Sequence, residues 1–537
     1  MKLRHQLAVF GFFFFVYMLG ASREIPWNDA KYMFNTAESI VFRGTLGIPT
    51  GVPGVVTYGP HPLLPSLALV PGVMIYQWIV ARWLPAWSMA KVITCHLGSA
   101  FFGALTCVLF LNACLRLGVS KRTASFMTLL LGFATMTSVY ARSPYSEIVQ
   151  AASVIGYFGA LLSFWERQDY KTAIRVGLWG ALMLNSKLIL ALALPGGLAI
   201  CVYRMRRQLK EFLGLSICAL VPIALGGFVI LKHNEVRSGV AMATGYAVTP
   251  QIFAQPLWEG LWGLVGSPGR SIFLFAPPLL LSLFALRETK RRKPQLLWML
   301  GLCLPPIVYL YAKFEAWSGD WSWGPRYLVP MVAPLLLPAA VLVDSLDLQR
   351  IKRGWLVLVG TICLSGLFVQ VLGHFFYWDH FIRISQEARN SWLGNPNRTG
   401  SKGVPRANGC DPCFEDYYPF QWLPPFQQIE GHWWLLKTVP FKKTWDEATL
   451  SAPWSRYTKL ALPIEHSFRQ ARVDWWVLQF WKTYKPASFA LIVTFSTGIF
   501  GCAIAWALSC RKTRPVIKSV ANGILEDGGS APAVSGA

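Results

Sequence analysis

Charge is scarce in this 537-residue chain: Asp, Glu, Lys and Arg together make up 14% of it. A soluble globular protein carries about a quarter. With 54% hydrophobic residues and a mean hydropathy of +0.41, the composition excludes a soluble enzyme, a disordered tail protein and a disulfide-rich secreted module. Acidic residues are scarcer still, 26 against 50 basic ones, which leaves a formal charge of +24. On a soluble protein that charge would favour nucleic-acid binding. On so apolar a chain it raises a different question, whether the charge is sorted across a membrane. Several motifs are also missing. There is no phosphate-binding GxxxxGK[ST], no pair of metal-binding histidines at helical spacing and no GxSxG elbow. Nothing therefore points to ATP hydrolysis, and no repeat of 20–50 residues is visible.

What the chain has is long apolar runs. They fall at 7–21, 63–81, 90–115, 123–140, 148–165, 174–203, 211–231, 272–286, 296–312, 327–343, 354–373 and 488–508, most near the 17–25 residues of a spanning helix. The first follows MKLRHQ without a convincing cleavage site and reads as a retained anchor. Basic clusters such as Arg116/Lys121/Arg122, Arg204/Arg206/Arg207/Lys210 and Arg287/Lys290/Arg291/Arg292/Lys293 sit in short connections. Placing all of them on the cytoplasmic side gives an all-α polytopic protein of about 12 crossings in the cell membrane, with both termini cytoplasmic. Two features strain this map. Residues 63–81, flanked by Pro60, Pro62, Pro65 and Pro71, must not cross and are expected as an interfacial or re-entrant helix. Residues 174–203 must cross twice as two short helices with Lys187 near the turn. The expected organisation is a transmembrane module 1–373 with an outer loop 22–89, a small mixed extracytoplasmic domain 374–487, a last helix 488–508 and a tail 509–537. Nine of the eleven cysteines lie in or beside apolar runs, as small buried hydrophobes. Cys410 and Cys413, in GCDPC, fit a local disulfide in an oxidising compartment, with zinc or redox chemistry as the alternative.

The polar residues that break this pattern gather in the expected outer loops. Asp29 begins an amphipathic helix at the lip of the first apolar run. It suits a helix cap or a base at the water–lipid boundary. SVYARSPYSEIVQ crowds Arg142, Tyr145 and Glu147 into six residues, as a solvated turn or as the lining of a site; Glu147 suits a helix start. Lys187, in MLNSKLIL, is either an intramembrane functional group or a lysine that snorkels to the interface. Arg270 and Arg326 each precede an apolar run. Arg326, after Gly-Pro, fits bidentate phosphate binding or pairing with Asp320. The neighbouring Trp317, Trp321 and Trp323 fit an aromatic belt or stacking on a sugar or prenyl chain.

Taken in order, Asp29-Ala-Lys-Tyr32 up to Arg43-Gly44, YGPHPLLP (Tyr58–Pro65), YARSPYSE, NSK and GDWSWGPRYLVP resemble the GT-C polytopic glycosyltransferases. The likeness is to bacterial relatives of the protein O-mannosyltransferases and the lipid A aminoarabinose transferase, over roughly residues 1–345. One departure is Asn28, where the family often shows a second acid. The resemblance implies a GT-C type fold and an inverting transfer of a sugar from a polyprenyl-phosphate donor to an acceptor on the extracytoplasmic face, with membrane lipids and no nucleic acid as partners. It implies Asp29 and Glu147 as catalytic residues. Tyr32, His61, Arg142, Tyr145, Lys187, Arg270, Trp323 and Arg326 become substrate-binding candidates. No cofactor is required by it, and a divalent metal is left open. Trp422, Trp433, Trp434 and Trp454 are candidates for acceptor binding. The alternative is a lipid-linked-sugar flippase or other secondary transporter, which would favour two similar halves and midplane charges. A non-catalytic scaffold would gather no acids and cations at one face.

Overall fold

The computed structural model describes residues 3–23, 25, 29–83, 88–243, 250–346, 353–392, 418–441, 444–456, 465–483 and 485–511. Cys410, Cys413, Asn28 and the tail beyond 511 lie outside them. Among the described residues, nine helices are long and apolar enough to cross a membrane, and the protein is a polytopic membrane protein. Eight of the nine coincide with expected crossings. The helix Ser146–Glu166 is the hub, with 89% of its apolar stretch buried against neighbours. The helices Lys210–Ser238 and Lys485–Cys510 stand at the rim, with only 6% buried and apolar side chains turned outward. Helices that are apolar on every side need either a protein core or lipid around them; the hub has the first and the rim helices the second.

The remaining four expected crossings are shorter or interrupted, so length and composition alone do not bring the count to 12. Leu3–Leu19 has 17 residues. Run 123–140 forms Lys121–Ala134 and Thr137–Ala141, broken where Thr135 takes an extended backbone. Run 272–286 is broken at Pro277 and Pro278 into Ile272–Phe275 and Leu280–Phe284, because proline withdraws a backbone donor and clashes with the preceding turn. Run 174–203 does form two helical pieces with Lys187 at the joint. They are longer than expected: Asp169 caps a helix that starts at Tyr170, and the second piece runs Leu188–Met205.

The ninth helix, Leu63–Val80, is the run that the charge map keeps from crossing, although its length and hydropathy suffice for a span. It is kinked, with a π-helical turn at Tyr76–Val80. It crosses Ser88–Arg116 very closely. A Cβ on Gly72 would collide with the Thr94 carbonyl, and one on Gly98 with the Ala68 carbonyl. Small residues permit this kind of approach in membrane proteins.

Beyond residue 374 a second hydrophobic core forms around Phe381, Trp434, Trp454 and Phe468. The described part of 374–487 is helical, apart from one bridge between Phe376 and Val473. Among the described residues, the one two-stranded pairing is in the first loop, where Ile48–Pro49 pairs antiparallel with Val56–Thr57. The later segment also holds the end of the first helix. Trp475 and Trp476 donate their indole N–H to the carbonyls of Leu19 and Met18, and the Ser22 hydroxyl donates to Asp474. This anchorage fixes the chain a few residues before Asp29.

Candidate active site

Four helix ends converge. Asp29 opens the helix Asp29–Arg43, and Glu147 lies in the first turn of Ser146–Glu166. Arg326 opens the short 3-10 turn leading into Val329–Ser345. Lys187 closes Tyr170–Ser186. Helix starts favour carboxylates and helix ends favour cations, so Asp29, Glu147 and Lys187 each sit where the backbone dipole suits them.

Arg326 is the centre. Its Nη1 donates to Asp29 Oδ2 at 3.0 Å, and its Nε lies 3.9 Å from Glu147 Oε1. His61, on the Tyr58–Pro65 stretch, brings Nε2 to 3.5 Å from Asp29 Oδ1. The Tyr327 ring joins the two cations, with the Lys187 ammonium 5.8 Å and the Arg326 guanidinium 5.0 Å from its centroid. Tyr311 stacks on its other side at 4.6 Å. Attraction of a cation to an aromatic face strengthens when both are desolvated. Tyr327 and Tyr311 were not singled out from the sequence. Tyr327 directly follows Arg326 in GPRY, so the adjacency of ring and guanidinium is visible in the sequence.

Electrostatics here is a contest between burial and charge. Burial pushes the Asp29 carboxyl up, but Arg326, His61 and Lys187 outweigh it and hold it at about 2. The side chain keeps 25% of its surface exposed, so the ionised carboxylate is reachable from outside. Burial lowers the His61 imidazole to about 4, against the pull of Asp29, with Lys187, Arg326 and Arg237 also pushing down. Asp320 has the left-handed backbone that non-glycine residues rarely adopt, φ +52°. Burial raises its carboxyl to about 7, against Arg326 and Arg270.

The chain is similar in structure to ArnT from Cupriavidus metallidurans. Against ArnT bound to undecaprenyl phosphate the TM-score is 0.47 at 15% identity, covering 87% of this chain and 86% of that one. Against ArnT in the apo state it is 0.39 at 14% identity, covering 92% and 74%. No family model and no curated protein matches the sequence.

The other expected residues divide into two groups. Tyr32, one turn after Asp29, is 44% exposed and borders a small hollow with His61, Tyr58 and His233. Tyr145 is buried, packs on Trp378 and Tyr140, and lies within the electrostatic reach of Arg326. Tyr145 therefore belongs to the cluster, and Tyr32 stands at its edge beside His61. Arg142, Arg270 and Trp323 do not belong to it. Arg142 donates to the carbonyls of Gly20 and His374 at 2.7 Å and pairs with Asp474 at 3.0 Å. Arg270 is fully buried and gathers the carbonyls of Asp320, Ser322 and Gly324 at 2.7–2.9 Å. Trp323 is fully enclosed between Phe275 and His432 and offers no face to a sugar. Among the acceptor candidates, Trp434 and Trp454 are core residues of the later segment, whereas Trp433 is 41% exposed.

A divalent metal does not fit between Asp29 and Glu147. The guanidinium of Arg326 already lies between the two carboxylates, and a metal ion there would meet its charge head-on. Among the described residues, no group of three or more His, Cys, Asp and Glu is placed to hold a metal.

Proposed function

We propose that this protein is an inverting glycosyltransferase that moves a sugar from a polyprenyl-phosphate carrier to a lipid, glycan or protein acceptor at the extracytoplasmic face. The observation that carries this reading is the meeting of Asp29, Glu147, Arg326 and Lys187, drawn from four distant stretches, around one partly open carboxylate. Asp29 takes the proton of the acceptor hydroxyl as its oxygen attacks the anomeric carbon. The bond from that carbon to the phosphate oxygen breaks on the opposite face, and its electron pair leaves with the phosphate. Arg326 and Lys187 meet the charge that grows there. Glu147 holds Arg326 from the side away from Asp29.

The low pKa of Asp29 fits a resting state. A carboxylate held at about 2 is a poor base. When a donor phosphate takes up Arg326 and Lys187, their hold on Asp29 weakens and its basicity rises. Donor binding thus prepares the base, and the acceptor is deprotonated only when a sugar is in place.

The test is Asp29→Asn in the purified full-length chain, followed by release of sugar from a polyprenyl-phosphate donor in the presence of cell-envelope acceptors. Transfer is expected to fall by about a hundred- to ten-thousandfold. Unchanged transfer overturns the role of Asp29. Absence of transfer by the unaltered chain from every polyprenyl-phosphate sugar tried overturns the function.

A further inference from the structure

The helices that present Glu147 and Lys187 also enclose something at their far ends. Ser146–Glu166, Tyr170–Ser186, Leu194–Met205 and Leu209–Ser238 leave a slot lined by Phe164, Val176, Leu198, Cys201, Leu215 and Ile223 among others. Its cavity volume is about 270 Å³, just below the roughly 300–1,000 Å³ of small-molecule sites. No Asp, Glu, Lys, Arg or His lines it. It shares no residue with Asp29 and its partners: at one end Val176 precedes Lys187 by 11 residues, about 16 Å along the helix, and at the other Leu194 follows it by seven.

Beside Phe164, Ala173 and Phe212 of the lining the chain turns basic. Arg167, Lys171, Arg175, Arg204, Arg207 and Lys210 are all exposed in 166–175 and 204–210, where the chain connects these helices at that end. Few acids answer them. Glu166 lies 3.8 Å from Arg116, Asp169 is spent on capping the backbone of Thr172, and Glu211 remains. An aromatic step marks the boundary between the two zones. Trp165 stacks on Tyr203 at 6.4 Å, and the Arg204 guanidinium lies 5.7 Å from the Trp165 ring. Tryptophan and tyrosine favour the headgroup level of a bilayer. An apolar slot beside a cluster of exposed basic residues with few acids to answer them matches one ligand chemistry, a hydrocarbon tail carrying an anionic head.

We propose that this slot is a binding site for an anionic membrane phospholipid, with one acyl chain between the four helices and its phosphate head among the basic residues beside it. Basic pockets between membrane helices recognise such lipids through this combination of fields. The inference is independent of the transferase reading, because the slot shares no residue with the cluster around Arg326.

The test uses the full-length chain, delipidated in detergent and titrated with cardiolipin, phosphatidylglycerol or phosphatidylcholine under native mass spectrometry. One anionic phospholipid per chain is expected to be retained in preference to phosphatidylcholine. Ser216→Trp fills the slot and is expected to abolish that retention. Leu198→Trp fills it from a second helix and serves if the first variant does not fold. Arg175→Gln with Arg207→Gln leaves the slot intact and is expected to weaken anionic lipid about thirtyfold, from about 1 kcal/mol per basic residue at an anionic surface, with phosphatidylcholine unchanged. Equal retention of phosphatidylcholine overturns the proposal. So does undiminished anionic binding in a folded slot-filled variant.

Discussion

Arg142 and Arg326 are both buried arginines beside helix ends, and each pairs with an aspartate at 3.0 Å. They are held in opposite ways. Arg142 is enclosed by backbone carbonyls from Gly20 and His374, with further bonds to Asp474, itself 2% exposed. Those carbonyls belong to three segments far apart in the sequence and cannot leave without opening the fold. Arg326 is held by side chains: Asp29, Glu147 and the Tyr327 hydroxyl. Side-chain partners can be exchanged for a ligand's oxygens, and the Asp29 side chain is 25% exposed. A buried arginine satisfied by backbone holds structure, whereas one shared between acids near an opening can hold substrate. Arg270, which collects three carbonyls of the 320–324 loop, falls on the structural side of this division.

Replacing Arg142 should break the comparison most severely. Arg142→Leu leaves Asp474 buried without its cation and strips four carbonyls, of Gly20, Gly373, His374 and Asp474, of a donor. Removing one partner of such a pair costs about 3–5 kcal/mol. The expected result is loss of folded protein in detergent, read as a collapsed thermal transition. A variant that folds and melts normally would show that the carbonyl cage is not what anchors the first helix. Arg326→Gln should behave differently. The fold is expected to survive, while transfer falls by about a hundred- to a thousandfold, the effect of losing one donor aimed at developing charge. If Arg326→Gln instead unfolds the chain and leaves the residual activity per folded molecule unchanged, Arg326 belongs with Arg142.

The sequence made one side of this division visible. In a chain with so little charge, Asp29, Glu147, Lys187 and Arg326 stand out because an ionised group in or beside an apolar run is costly; Glu147 and Arg326 directly precede runs, Asp29 follows the first, and Lys187 falls where run 174–203 has to turn. Arg142 and Arg270 stood out for the same reason, yet their partners are backbone carbonyls, which every residue carries and no sequence reveals. Asp474 lies 332 positions from Arg142, in a segment whose packing no periodicity announced. The spans followed hydropathy, because lipid imposes it on every helix. The break at Thr135 did not: its hydroxyl accepts from the Thr137 N–H, a local alternative to the helix that threonine offers without requiring it.

His61 sharpens the comparison at its smallest scale, because it is the partner of Asp29 whose ordinary titration near neutrality is displaced by folding. Its side chain is 4% exposed, and burial, with Lys187, Arg326 and Arg237 adding to it against Asp29, lowers its pKa from 6.5 to about 4. Between those values the unfolded chain binds the proton and the folded chain does not, so stability rises with pH across that window. The contribution is fully present above about 6.5 and is lost as pH falls toward 4. One proton accounts for at most about 1.4 kcal/mol per pH unit. His61→Gln should therefore change stability little at pH 7.5 and flatten the decline between pH 6.5 and 4, measured by thermal melts at a series of pH values. Retention of the full slope in the variant would assign it to another group. A flattened slope together with preserved transfer at pH 7.5 would place His61 as a neutral prop of Asp29, leaving Arg326 and Lys187 as the cations that a phosphate has to win.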